Sequence, residues 1–404
     1  MTRTTTKAVG WLWLAGAIGA TTMTAAAAPP ELVKRPIFEA EAKHNHASCI
    51  SETPRGDLLA VWYSGTGERK ADDVVIQAAW MAKGADSWSP RFQTADTPGY
   101  PDCNPALLTA PDGRVWMFWP TILDHRWESA LLKYSVADPS QGPPGPIRWE
   151  SSNVLHITPE SGQFEKAIAA SVAQLTDEER TKYAKELEPF TARSTDLLYQ
   201  RLGWMPRVRG IVLPSGRWIL PLYCDTFSLS LMGISDDQGK TWTASDLTVG
   251  FGAIQPTIVR KNDGGLVAYF RDNGPHNKIR MATSPDEGKS WTDVVDTPLP
   301  NPGAGIEAIR LESGAWAMVY NDLPRGRHSL AVSLSDDEGA TWPITRHVEL
   351  DEPGSSFHYP SMTQARDGAI HLSYTHSLGL GAGTAKKSTI MHATFPEAWV
   401  RQGD

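Results

Sequence analysis

The chain has 404 residues, a formal net charge of −8 and an isoelectric point near 5.8. Nucleic acids and anionic membranes require a basic surface, so neither is an expected partner of this acidic chain. The three cysteines, Cys49, Cys103 and Cys224, lack the paired spacing that staples small secreted domains or holds zinc. A disulfide framework is therefore not expected.

The N-terminus has the pattern of a secretory signal peptide. A basic start (residues 1–7) is followed by a short apolar run (8–20) and by four alanines (25–28) ahead of two prolines. The apolar run is shorter than the roughly 20 residues that a membrane span needs, and no later stretch approaches that length. We predict a signal peptide over residues 1–28, a secreted or periplasmic mature chain, and no membrane span.

A repeated turn motif organises the rest of the chain. The pattern Ser-x-Asp-x-Gly-x-Ser/Thr-Trp occurs at residues 235–242, 284–291 and 335–342, with a degraded copy at 84–90. Aspartate can cap backbone amides, glycine accepts positive φ, and the aromatic ring covers the turn. Each copy therefore predicts a structural hairpin turn, and the spacing of about 50 residues is typical of propeller blades.

A second repeat counts the blades. A turn that ends in glycine is followed by an apolar strand, rich in β-branched and aromatic residues, at Gly56, Gly113, Gly216, Gly264, Gly314 and Gly368. Such a strand is typical of the middle of a blade. We predict an all-β fold, a six-bladed β-propeller over residues 29–404.

The interval between Gly113 and Gly216 is about twice the usual length. Within it, Thr176 and Glu179 have the capping-box spacing that begins a helix. We predict a short helical insertion over about residues 160–200. The insertion either only packs against the propeller or forms a wall or lid over the pocket.

Candidate site residues occur at matching positions in the blades. The inner strands of a propeller converge on a central channel, so polar residues beside them can share one pocket. The segments ahead of the repeated turns contain His46, Asn104, Arg209, Gln255, Glu307 and Tyr359. Acid and base groups beside cations and amides suit a sugar site.

These motifs, together with residues 254–257, 269–274, 320–321, 327–330 and 359–361, resemble the sialidase superfamily, in particular its bacterial, secreted branch of BNR (Asp-box) repeat proteins. The resemblance covers about residues 40–395. Carried over by position, it implies carboxylate-binding arginines at Arg271 and Arg327 and a nucleophilic tyrosine at Tyr359. Planar guanidinium groups suit this role because they can grip a carboxylate through two parallel hydrogen bonds.

The resemblance also implies an acid/base aspartate in the loop after Tyr63. That loop is shortened in this chain. The residues in this loop that correspond best to the family's aspartate are Asp72 and Asp73, and Glu68 is close by.

Two positions depart from the family pattern. His46 stands where sialidases have an arginine that completes a triad, an alignment fixed by the turn at residues 53–56. Gln255 stands where the family has the glutamate that activates the tyrosine, and an amide cannot take up a proton. Glu307 or His46 is the expected substitute for the activator, and the departures argue against strict sialidase activity.

The leading hypothesis is an exo-acting glycoside hydrolase that acts on a carboxylated sugar at the end of a glycan. Tyr359 is the expected nucleophile or stabiliser, and Asp72, Asp73 or Glu68 the expected acid. The predicted substrate-binding residues are Arg271, Arg327, Arg209, Gln255, Asn104 and Glu68.

Two alternatives remain open. In a uronic-acid polysaccharide lyase, His46 or Tyr359 would take the α-proton while Arg271 and Arg327 neutralise the carboxylate. A glycan-binding propeller without catalysis is the other alternative, because a fold does not determine a function. No metal or other cofactor is expected, although a structural calcium in a loop is left open, since carbonyl ligands have no sequence signature. The sequence carries no signal for the oligomeric state.

Overall fold

The computed structural model describes residues 31–138, 142–143, 145–160, 162–350, 354–379 and 386–404, together with residues 1, 2 and 4. Apart from those three residues, the predicted signal peptide (1–28) lies outside the described residues. The described chain forms six antiparallel sheets. The first strand, β1 (Val33–Pro36), belongs to the last of these sheets.

The sheets are the blades of a propeller and follow one another along the chain. Blade 1 contains β2 (His44–Glu52), β3 (Leu58–Gly65), β4 (Val75–Met81) and β5 (Phe92–Ala95). Blade 2 contains β6 (Ala106–Thr109), β7 (Val115–Ile122), β8 (Ala130–Ala137) and β9 (Trp149–Val154). Blade 3 contains β10 (Trp204–Pro206), β11 (Ile211–Val212), β12 (Trp218–Cys224), β13 (Leu229–Ser235) and β14 (Thr243–Ala244).

The remaining blades repeat the same order. Blade 4 contains β15 (Ala253–Arg260), β16 (Leu266–Asp272), β17 (Lys278–Ser284) and β18 (Val295–Pro300). Blade 5 contains β19 (Glu307–Arg310), β20 (Trp316–Tyr320), β21 (Ser329–Ser335) and β22 (Ile344–Leu350). Blade 6 contains β23 (Ser356–Gln364), β24 (Ala369–Leu378), β25 (Lys387–Pro396) and β1. The predicted fold class, an all-β, six-bladed propeller with a short helical insertion, is confirmed.

The two ends of the chain close the ring. Strand β1 pairs antiparallel with β25, so that Val33 lies opposite Thr394 and Pro36 lies opposite Met391. The outer strand of blade 6 therefore comes from the N-terminal side of blade 1. This pairing covers an edge that would otherwise be open.

The repeated glycines begin the central strands because their turns need a left-handed backbone. Gly56 has a φ of +87°, a conformation that strains any residue with a Cβ, and the five equivalent glycines also have positive φ. The strands that follow, such as β3 and β7, are buried along their whole length. Apolar residues on both faces of these strands pack between neighbouring blades.

The repeated Ser-x-Asp motif forms a closed hydrogen-bonded turn. In the copy after β13, Asp237 Oδ1 accepts hydrogen bonds from the Thr241 amide at 2.8 Å and the Ser235 hydroxyl at 2.9 Å. The Trp242 indole donates to the Gly239 carbonyl at 3.1 Å. Hydrogen bonds within the turn lower the pKa of Asp237 to about 2. The motif's polar side chains are thus engaged in the turn itself.

Five short helices lie between blades 2 and 3. They are α1 (Gln163–Ala173), α2 (Asp177–Lys182), α3 (Ala184–Leu187), α4 (Phe190–Ser194) and α5 (Leu197–Arg201). A sixth helix, α6 (Glu397–Val400), follows β25. At the start of α2, the Thr176 hydroxyl accepts from the Glu179 amide and the Glu179 carboxylate accepts from the Thr176 amide. The capping box thus forms as its sequence spacing predicts.

Two further sequence features can be located. The cysteines at 49, 103 and 224 are buried free thiols. Within the described part of the chain, no helix is both long enough and apolar enough to cross a membrane.

Candidate functional site

The inner strands of three blades are distorted at one level of the central channel. Strands β2, β15 and β23 each carry a bulge near their first residues. At these bulges Ala47, Gln255 and Tyr359 have φ values of 55°, 54° and 49°, and Asn104, just ahead of β6, has a φ of 42°. Bulges re-aim side chains, and positive φ at residues other than glycine is uncommon and concentrates at functional sites. The repeated distortion therefore marks this level as the candidate site.

A pocket of about 210 Å³ opens at this level. Its wall is almost entirely polar and combines carboxylates, amides, phenols and a guanidinium. The lining residues are Glu68, Asn104, Trp127, Tyr223, Asp225, Ile254, Gln255, Arg271, Asn273 and Tyr359. Of the residues predicted from the sequence, the pocket brings together Tyr359, Arg271, Gln255, Asn104 and Glu68.

Tyr359 stands at the centre of a donor network. Arg271 Nη1 donates a hydrogen bond to the Tyr359 hydroxyl oxygen at 3.0 Å, and Gln255 Nε2 donates to the same oxygen at 3.2 Å. The guanidinium of Arg207 lies 4.9 Å from the centroid of the Tyr359 ring. Because the Gln255 amide donates to the hydroxyl, it cannot act as the acceptor of the tyrosine proton.

A second arginine lies beside this network. Arg327 Nη1 bonds to His358 Nδ1 at 2.9 Å, and Arg327 Nη2 donates to the Gly303 carbonyl at 2.6 Å. Burial, and then the positive charge of Arg271, lower the pKa of Arg327. The two guanidinium groups therefore repel each other across a space where a bound anion would relieve the repulsion.

Two histidines of β2 face the same space. His44 and His46 are two residues apart on one strand and so share a face. The His46 ring is only 8% exposed and meets the Tyr359 ring edge to face, with 4.4 Å between centroids. Burial lowers the pKa of His46 well below its usual value. Burial and then Arg327 lower the pKa of His358 to about 3, so both imidazoles are neutral at physiological pH.

The pocket contains a carboxylate that the sequence analysis missed. Asp225 follows Cys224, the last residue of the central strand β12. Burial raises the pKa of Asp225 to about 6, against the opposing influence of Arg271. The candidates at matching blade positions all lie ahead of the central strands, whereas the end of a central strand reaches the same level of the channel. The polar sequence Tyr223-Cys224-Asp225 directly after an apolar run was the available signal.

The predicted acids Asp72 and Asp73 do not line the pocket. Asp72 Oδ1 lies 2.6 Å from His125 Nε2 on the surface, with half of each side chain exposed. Asp73 accepts from the Thr66 amide at 3.0 Å and from the Thr66 hydroxyl at 2.8 Å, and so closes its own loop. Asp73 thus stabilises its own loop and Asp72 ties that loop to His125, whereas Glu68 reaches the pocket.

Glu307 also has a different place from the one expected. Its carboxylate is fully buried and binds Arg209, with 2.6 Å between Arg209 Nε and Glu307 Oε1. The blade 5 residue that touches the site is Gly305, where a Cβ would lie 3.3 Å from both Gln255 Oε1 and Tyr359 Cδ1. Glu307 is two residues further on, at the start of β19, and so lies deeper along the channel than Gly305. The prediction that Glu307 occupies the activator's slot is corrected accordingly, and Arg209 is its ion-pair partner.

Fold and pocket together define a sialidase-like propeller with a polar central site. Residues 193–372 match the family described as the BNR repeat-like domain. An anhydrosialidase from Macrobdella decora is 28% identical over 185 residues, which cover 40% of this chain and 23% of that protein. The chain thus spans about a quarter of the length of this curated relative. The chain is therefore similar to BNR-repeat proteins over residues 193–372 and, more distantly, to an anhydrosialidase.

Solved structures share the fold at low sequence identity. The NanB sialidase from Streptococcus pneumoniae is 12% identical with a TM-score of 0.66, over 90% of this chain and 70% of that chain. The intramolecular trans-sialidase from Ruminococcus gnavus is 14% identical with a TM-score of 0.66, over 89% of this chain and 95% of that chain.

Proposed function

We propose that the protein is an exo-acting glycoside hydrolase that cleaves a carboxylated sugar from the end of a glycan. One observation carries the proposal: the Tyr359 hydroxyl accepts a hydrogen bond from Arg271 in a small polar pocket that also contains the carboxyl groups of Glu68 and Asp225. The names of the relatives, which include a sialidase and an anhydrosialidase, support the same reaction class.

The charges around Tyr359 favour an anionic sugar. Arg271 Nη1 donates hydrogen bonds to Tyr359 and Gln255, while Nη2 has no hydrogen-bond partner among the described residues. That nitrogen can donate to a carboxylate in the pocket, and an anion there would also relieve the repulsion between Arg271 and Arg327. Neutral sugars offer no such compensation.

The roles of the groups follow from their protonation. Asp225, whose pKa is raised to about 6, retains a proton under mildly acidic conditions and donates it to the departing glycosidic oxygen. The Tyr359 oxygen bonds to the anomeric carbon as the bond to the leaving group breaks, and its own proton passes to Glu68, directly or through one water. Water then cleaves the tyrosyl intermediate with Asp225 acting as base. The tyrosine regains its proton from Glu68.

The test is a hydrolysis screen of the purified protein on aryl sialosides, aryl uronosides and neutral aryl glycosides. We expect release from a carboxylated substrate and at least a hundredfold loss of kcat/KM in Arg271→Ala, with little change in the exposed control Arg201→Ala. Tyr359→Phe should lower kcat by about 10³-fold or more while sugar binding persists. Equal activity on neutral sugars would contradict the acidic-sugar assignment.

A second candidate, a uronic-acid lyase, is favoured by His46. Its ring lies against Tyr359, and neither ring nitrogen has a hydrogen-bond partner in the part of the chain that the structure describes. A free imidazole next to a phenol is a suitable pair for removing an α-proton and protonating the leaving oxygen. Ultraviolet-absorbing unsaturated products in the same screen would identify the lyase. If neither product forms and sugar binding survives Tyr359→Phe, the protein is a binding propeller.

A further inference from the structure

Three side chains with metal-ligating atoms converge at the edge of the pocket. His44 and His46 lie on the same face of β2, and Glu68 follows β3, the neighbouring strand, in which Gly65 lies opposite His44. The intervening residue, Asn45, points the other way, and its Oδ1 accepts a hydrogen bond from the Trp62 indole at 3.3 Å. The strand pairing places the two imidazoles beside the end of β3, and Glu68, three residues after that end, brings its carboxylate next to them.

The spacing of these groups suits a single ion. One ligand atom from each of His44, His46 and Glu68 lies within 4.8 Å of the others. Ligand atoms about 2.1 Å from a tetrahedral zinc ion are about 3.4 Å apart. Small side-chain rotations that move the ligand atoms by about 1 Å are enough to close that difference.

The hydrogen bonding of the cluster also indicates a missing ligand. His46 is more than nine-tenths buried, yet its ring nitrogens have no hydrogen-bond partner among the residues described. Tyr63 donates to Glu68 Oε1 at 2.7 Å and lies 3.4 Å from His44 Nε2, so one buried phenol orients two of the ligands. Outer hydrogen bonds of this kind hold metal ligands in place. The competing partner of Glu68 is Arg69, whose Nη1 lies 3.2 Å from Oε2.

We propose that His44, His46 and Glu68 bind a divalent transition-metal ion, best matched by Zn²⁺, in the wall of the pocket. Two imidazoles and one carboxylate are a typical protein donor set for zinc with an open fourth position, whereas Ca²⁺ and Mg²⁺ prefer oxygen ligands. The positive charges of Arg207 and Arg327 oppose any cation here, so the ion would have to be held by bonds to the imidazole nitrogens.

The open position would serve the proposed hydrolysis, on which this part of the inference rests. Glu68 and Tyr359 line one pocket, so a water on the ion would share that space. A zinc-bound water loses its proton near pH 7. The resulting hydroxide would take the Tyr359 proton in place of Glu68, a task that the Gln255 amide cannot perform.

The test measures metal binding without substrate. Tag-free full-length protein, stripped with a chelator, is titrated with Zn²⁺ by calorimetry and with Co²⁺ by visible absorption, which reports the coordination geometry. We expect one equivalent to bind, and an affinity that falls about 10- to 100-fold or more in His44→Ala, His46→Ala and Glu68→Gln. His125→Gln, which removes a surface histidine paired with an aspartate, is the matched control and should bind like the wild type.

Each outcome decides the proposal. Wild-type affinity in all three ligand variants, or no binding at all, would overturn it. If burial of His46 makes its variant unstable by circular dichroism, the partly exposed His44 and Glu68 still provide the comparison. Zinc binding without glycosidase activity would leave the metal site standing and refute the proposed function, whereas activity that is unchanged in the stripped enzyme would refute only a role of the metal in turnover.

Discussion

The ring of Phe164 packs edge to face on the ring of Phe227, with 5.1 Å between centroids. Phe227 is fully buried and lies two residues after Asp225, and Phe190 contacts the same ring from α4 at 5.4 Å. The helical insertion thus anchors the loop that carries one carboxyl group of the pocket. It packs against the propeller and, by the same contacts, supports the site.

Truncation of Phe164 should therefore affect both stability and catalysis. Phe164→Ala removes a fully buried ring, and we expect the free energy of unfolding in urea to fall by about 3–5 kcal/mol. Because the Asp225 loop loses its support, kcat should fall more than the residual folded fraction explains. Lys166→Ala, an exposed change on the same helix, should shift the unfolding free energy by less than about 0.5 kcal/mol. Unchanged kcat in the folded Phe164→Ala protein would show that the insertion does not hold the loop.

The pH dependence of kcat/KM should report Asp225. Its carboxyl group is surrounded by Arg271 and Arg69, which lower its pKa, and by Glu68 and Glu128, which raise it, while burial has the largest effect and brings the pKa to about 6. The raised pKa means that Asp225 is protonated below about pH 6 and loses its proton as the pH rises through 6.

On this basis, kcat/KM for a carboxylated aryl glycoside should decline about tenfold per pH unit above pH 6. Asp225→Asn should lower kcat by about 10²- to 10⁴-fold and abolish that limb of the profile. Substrates with a good leaving group, which need little protonation, should lose less. An unchanged alkaline limb in Asp225→Asn would assign the limb to another group.

The sequence predicts the propeller well because its signals are local and repeated. The glycine that begins each central strand, such as Gly56, and the aspartate of each closed turn, such as Asp237, act within a few residues of themselves. The pocket depends on registers between blades, which no local pattern contains. Gly305 and Glu307 are only two residues apart, yet only the structure shows which of them touches Tyr359.

Candidate residues in loops were the hardest to place. Asp72 and Asp73 lie within five residues of Glu68 in sequence, but hydrogen bonds to His125 and to Thr66 hold them away from the pocket. Asp225 was missed because its significance depends on the end of a central strand reaching the bulged level of the inner strands. The absence of Asp72 and Asp73 from the pocket and the presence of Asp225 in it both depend on the path of the backbone, which residue type does not determine.

The close approach of Gly305 to the site gives a sensitive test of its geometry. A methyl group at this position would lie 3.3 Å from Tyr359 Cδ1 and from Gln255 Oε1, which is tighter than an ordinary contact. Gly305→Ala should therefore displace the tyrosine by a few tenths of an ångström and lower kcat about 10- to 100-fold, because small misplacements of reacting groups are costly. The thermal unfolding midpoint should change little. Full activity in Gly305→Ala would mean that Tyr359 does not need this position.

Stability at acid pH should depend on a buried histidine pair in blade 6. His371 Nδ1 lies 3.0 Å from His392 Nε2, and the rings stack with 5.2 Å between centroids. Burial lowers the pKa of His371 to about 4, and burial followed by the charge of His371 lowers that of His392 to about 3. Between these values and the usual pKa near 6.5, the unfolded chain binds protons that the folded chain does not, so stability falls as the pH falls. Each such proton contributes a slope of about 1.4 kcal/mol per pH unit.

We expect the unfolding free energy of His392→Gln, measured in urea from pH 7 to pH 4, to decline less steeply than that of the wild type. The difference in slope should be at most the contribution of one proton. Parallel slopes for the two proteins would show that His392 takes up its proton as readily in the folded state as in the unfolded one.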